Sequence, residues 1–163
     1  MNEISLINEQ LEQAFRKSSW HGPNLMGAIK GVSPDVAAFR TSEKRNSIHE
    51  LILHCAYWKY TVLRNVLDLP KGSFPLEGSH VLPRPEMVSP KELKGDIALL
   101  KDTHARLIEA VSGFRAKRLD ECPKGGKTTF RDLFLGVAAH DLYHAGQITL
   151  LKRTAQDLGV GGK

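Results

Sequence analysis

The stretch TFRDLFLGVAAHDLYHAGQITLLKRTAQD, residues 129–157, decides the fold. Within it Phe130, Leu133, Val137, His140, His144, Gln147 and Leu151 recur at spacings of 3, 4, 3, 4, 3 and 4. That is the rhythm of a helix whose seam faces a bundle core. Thr129 followed by Asp132 marks its start, and Gly159 its stop. The seam is apolar at both ends but carries two imidazoles and an amide in its middle. An unpartnered polar group in a core costs about 2–7 kcal/mol, so this pattern asks for something that satisfies all three.

Working outward, the same signals recur upstream. Ser47 and Glu50 form a capping box, opening a helix through Leu51, His54, Trp58 and Val62 that stops before Pro70. Ser89-Pro90-Lys91-Glu92 combines a serine cap, proline at the first helical position and an acid in the first turn. The helix it starts carries Leu93, Ile97, Leu100, His104, Leu107 and Val111 and ends near Gly113. Ile4, Ile7, Leu11, Ala14 and Phe15 mark the apolar face of a first helix over residues 3–17. Trp20-His21-Gly22-Pro23 breaks it, a short helix follows from Asn24 to about Lys30, and Ser33-Pro34 starts one more turn.

Between Pro70 and Ser89 lie Gly72, Pro75, Gly78, Pro83 and Pro85, too many breakers for a regular helix. A connection that long is a crossover or a functional loop. No segment alternates as a half-buried strand does. The expectation is an all-α four-helix bundle with a long crossover connection, built as a single domain over residues 1–163.

Composition narrows the function classes. With 41% hydrophobic and 25% charged residues the chain is ordinary for a globular protein. No apolar run approaches the ~20 residues of a membrane span, and the Met1-Asn2-Glu3-Ile4 start lacks the features of a signal peptide. A cytoplasmic protein is expected, with Cys55 and Cys122 as free thiols. The net charge of +5 permits attraction to anions, but the basic residues are scattered and form no nucleic-acid-binding arm.

His140 and His144 leave one face of their helix about a turn apart. That spacing lets two imidazole nitrogens reach one metal ion. A third ligand must come from another helix, and His54, between Leu51 and Trp58, sits near the inward seam of its own. Three neutral imidazoles suit transition metals, zinc or nickel first, with iron, cobalt or manganese admissible, and do not suit magnesium or calcium. Three protein ligands leave open positions, the layout of a catalytic site. The zincin HExxH motif is absent, because Asp141 follows His140.

The other candidates divide by position. His49, five residues before His54, falls on a different face and is expected to be exposed, and His80 to be solvated in the long loop. His104 falls on an apolar stripe and reads as a satisfied core residue, with a ligand role as the alternative. Gln147 either orients a bound water or bonds a neighbouring backbone. Gly146 suggests close helix packing beside the site. Gln147, Tyr143 and His21 are the candidates for substrate-positioning or catalytic roles, Asp141 and Tyr143 for partners of the ligands, and Trp58 for core or pocket wall.

His140-Asp-Leu-Tyr-His144-Ala-Gly-Gln147-Ile resembles the C-terminal motif of the DinB/YfiT-like family. Ser47-Ile-His-Glu-Leu-Ile-Leu-His54 resembles its upstream ligand motif, and Trp20-His21-Gly22-Pro23 a segment of some members. The resemblance implies a four-helix bundle with a three-histidine metal site at His54, His140 and His144, and a homodimer. It implies a small-molecule substrate, of the low-molecular-weight thiol class used by thiol-dependent transferases and isomerases among the relatives. The departure is at Arg45-Asn46, where many relatives have Trp, so the substrate does not carry over. Two functions follow. One is a metal-dependent enzyme, a thiol S-transferase or hydrolase using a metal-activated thiol or water. The alternative is a non-catalytic metal-binding or stress-response protein with a structural or sensory metal, for which His104 as a fourth ligand would be the discriminating observation.

Overall fold

The structure, a computed structural model, describes residues 2–72, 74–77, 82, 85 and 87–161, so His80 and the breakers Gly78 and Pro83 lie outside the described residues. Among the described residues six α-helices account for the fold: α1 Glu3–Phe15, α2 Leu25–Ile29, α3 Pro34–Ala38, α4 Ile48–Leu67, α5 Pro90–Ser112 and α6 Phe130–Asp157. Among the described residues no strand occurs.

The caps set these boundaries. Ser47 and Glu50 make both reciprocal bonds of the capping box, as do Ser89 and Glu92, and Thr129 Oγ1 accepts from the Asp132 amide at 3.1 Å. α4 closes on Asp68 in the left-handed conformation, with φ 51°. That turn is tolerated by a short polar side chain and by few others.

α1, α5, α4 and α6 form a ring of neighbours, with α1 diagonal to α4 and α5 diagonal to α6. Pairwise contacts give the directions. The first turns of α1 and α6 meet through Glu3 and Arg131, so these helices run parallel. Asn8 Nδ2 donates to Ser112 Oγ at 3.0 Å while Phe15 stacks on His104 at 3.7 Å, so α1 and α5 are antiparallel. His49 lies against Asp96 near the starts of α4 and α5, and Val62 and Leu63 share a cluster with Leu107 and Val111 near their ends. These two neighbours are therefore parallel. A 20-residue helix is about 30 Å long, so the 68–89 connection must return along the bundle. That is the long crossover its breakers announce.

Two apolar clusters fill the interior. One holds Ile7, Leu11, Leu63, Leu107, Phe130 and Phe134; the other holds Leu25, Ile29, Ile48, Ile52, Leu100 and Ile148, roofed by α2 and α3. A buried polar layer lies between them. Lys59 and Asp141 pair there with both side chains 0% exposed, and Lys59 Nζ sits 5.0 Å over the Phe15 ring. His104 and Glu12 complete it.

Candidate metal centre

α4 and α6 pack antiparallel, and the three histidines face one another across their groove. His140 Nε2 is 3.1 Å from His54 Nε2 and 3.1 Å from His144 Nε2. Two nitrogens bound tetrahedrally at ~2.0–2.1 Å from one ion stand about 3.3 Å apart, so this spacing fits a shared divalent ion. The three form a group able to hold a metal ion.

The second nitrogen of His144 is accounted for. Nδ1 lies 2.7 Å from Gln147 Oε1. A carbonyl oxygen only accepts, so Nδ1 carries the proton and Nε2 presents its lone pair to the site. Neither reading of Gln147 from the sequence anticipated this contact. Its signal was the three-residue step from His144, one of the two spacings that bring side chains together on a helix.

Charge at the site favours neutral rings. Burial pushes His140 down to about 3, helped by His144, His54 and Lys59. It pushes His144 down to about 4, against the hydrogen bond to Gln147 and with help from His54. Neutral imidazole is the metal-binding form. A second cluster, Cys55, His140 and Asp141, gathers behind the first. Its chemistry fits a metal less well. Burial above all, with Asp141 second, raises the Cys55 thiol well above its ordinary range, and Asp141 is committed to Lys59.

The seam read from the sequence is offset from the deepest face of α6. Phe134, Asp141, Ala145 and Ile148 point most fully inward, while Leu133, His140, Gln147 and Leu151 are half-buried. The imidazoles therefore sit on the flank of the core. Two cavities lie along the groove, one against His140 and the other against Gln147, which contacts His144. One of about 150 Å³ is lined by Trp58, Val62, Val137 and His140. The other, about 400 Å³, is lined by Leu51, Gln147 and Leu151 together with Lys44 and Arg45.

The remaining candidates fall as follows. Trp58 is a pocket wall, 38% exposed and edge-on to His54. Tyr143 is 65% exposed, with its ring 4.9 Å from that of His144. His21 is exposed and bonded to Ser19 at 2.7 Å, and among the described residues no hydrogen bond or ring contact joins it to the three histidines. His104 is a core residue stacked on Phe15 and stands outside the group. Asp141 is buried as an ion-pair partner.

Two expectations are corrected. His49 is 0% exposed, with Nε2 2.5 Å from Asp96 Oδ2 on α5, so the face that looked outward is the α4–α5 interface. Gly146 is exposed, and a Cβ there would meet nothing within 4 Å, so it marks open surface on α6 where close packing was expected.

The family model of the DinB superfamily matches residues 19–148, a span that includes all three histidines. No curated protein and no solved structure matches the chain.

Proposed function

The chain belongs to the DinB superfamily, and on that footing we propose that His54, His140 and His144 hold one divalent transition metal, zinc or nickel first, at the open site of a metal-dependent enzyme. The carrying observation is the convergence of three Nε2 atoms on the flank of the core, with His140 lining one cavity and Gln147, the partner of His144, lining another. A divalent ion there lowers the pKa of a thiol or water and so supplies a nucleophile near neutral pH, which suits a thiol S-transferase or a hydrolase.

The chain's own residues shape the rest. Gln147 fixes the tautomer of His144, a second contact of the kind that orients ligand imidazoles. The Trp58 indole forms a wall of the cavity that His140 also lines. Gln147 is the candidate nearest the ligands, the Tyr143 ring lies 4.9 Å from that of His144, and His21 takes a positioning role only if a substrate draws the 19–23 turn toward the groove.

A purely structural metal asks for a fourth protein ligand. His104, the candidate for it, stacks on Phe15, which favours the catalytic reading over a structural or sensory metal. For the assembly we propose a homodimer through the exposed face of α6, where Leu135, Ala139, Tyr143, Gly146 and Leu150 form a stripe. A cytoplasmic location agrees with free Cys55 and Cys122. Among the described residues no helix is long and apolar enough to cross a membrane.

Metal-stripped protein reloaded with zinc or nickel tests the activity against a panel of low-molecular-weight thiols with electrophiles, and of esters. Turnover that returns with the metal and is absent from His54→Ala is expected. Tight metal binding with no turnover across the panel would count against the enzyme and for the structural or sensory role.

A further inference from the structure

We propose that the larger cavity beside the histidines is an anion subsite. It would take an elongated organic anion whose carboxylate or phosphate end rests on Lys44 and Arg45 and whose other end reaches the three Nε2 atoms. This deepens the metal-site reading above and rests on it for the second half only.

The lining is one-sided in charge. Lys44 and Arg45 enter from the segment before α4, and among the described residues no carboxylate lines the cavity. Neither cation has an ion-pair partner among the described residues. The nearby Glu50 carboxylate is already taken by Arg40. Asn46 adds an amide, and Gln147 adds another whose oxygen is occupied by His144 Nδ1. The free end of Gln147 is therefore its NH2, a donor. Leu51, Leu150 and Leu151 supply apolar wall to the same cavity. A ligand that satisfies this surface is rich in acceptors at one end and apolar along its body.

Its length follows from α6. His144 and Leu151 are seven residues apart, or about 10 Å along a helix at 1.5 Å per residue. The ligand must span that distance to touch both ends.

The test is calorimetric titration with 8-mercaptooctanoate and 8-mercaptooctan-1-ol. These probes match in length and differ only in the charged end. Each is titrated into metal-free and cobalt-loaded protein, and into a Lys44→Gln/Arg45→Gln double variant of each. Both residues are exposed, and unchanged circular dichroism and melting establish that the variant folds. The acid is expected to bind about fivefold more tightly than the alcohol, the scale of two solvent-exposed charge contacts. The double variant should erase that preference while leaving the alcohol's affinity unchanged. Added salt should narrow it. Octyl phosphate in place of the acid separates a phosphate from a carboxylate preference. Equal binding of acid and alcohol, or a preference that survives in the double variant, overturns the subsite. A tightening of both thiols on cobalt loading belongs to the metal site alone. Its absence would sink that reading while the charge preference still decides this one.

Discussion

At the residue scale, Gln147 is the side chain that turns a histidine pair into an oriented site. Replacing it with Leu leaves the His144 Nδ1–H without an acceptor. Loss of such a partner typically costs about 10–100-fold in metal affinity. Chelator competition on Gln147→Leu should show that loss with the melting temperature little changed, whereas wild-type affinity would remove the orienting role. Lys59 and Asp141 make a second residue-scale prediction. Lys59→Met strands a buried carboxylate and should cost about 3–5 kcal/mol, while adding Asp141→Leu should recover most of it. Urea denaturation of the two variants decides this, and a double variant no more stable than the single would contradict it. The pairing was invisible in the sequence. Its partners stand 82 residues apart, and Asp141 read instead as a partner of the ligand histidines. His140 and His144, by contrast, were legible because a spacing of four is local and a helix converts it directly into a shared face.

At the element scale, caps carry the boundaries. Ser47, Ser89 and Thr129 each bond the amide three residues on, and all three helix starts could be read from those side chains. What could not be read is how wide an arc of each helix its neighbours cover. α4 packs against α3, α5 and α6, so His49 is buried although it lies off the face that carries His54. α6 leaves an open face, so Gly146 has space around it. Gly146→Ala should therefore stabilise the chain by about 0.5–1 kcal/mol through helix propensity, read as a rise in melting temperature. A drop in stability, or loss of a dimer in sedimentation, would mean that this face of α6 approaches another backbone closely.

At the scale of the whole molecule, the polar layer between two apolar clusters makes stability depend on acid. Burial, ahead of the charges of Lys59 and Arg16, drives His104 down to about 2. The Glu12 carboxylate is 3.5 Å away, too far for a hydrogen bond, and is held by Arg16, so it does not reverse this. With folded values of about 2, 3 and 4 for His104, His140 and His144, the unfolded chain binds more protons below pH ~6.5. Stability is then fully present above that pH and falls as pH drops toward the folded values, by up to about 1.4 kcal/mol per pH unit for each ring. Urea melts at pH 7.5, 5.5 and 4.5 should show the decline, and His104→Leu should make it shallower; equal slopes would place the proton uptake elsewhere. The unfolding should be one cooperative transition, since the layer ties both clusters together. Elemental analysis of protein purified without a histidine tag reads out the metal that His54, His140 and His144 are proposed to hold. One equivalent of a divalent transition metal per chain in the wild type and almost none in a folded His144→Ala variant is the expected result. Metal content unchanged by that substitution would contradict it.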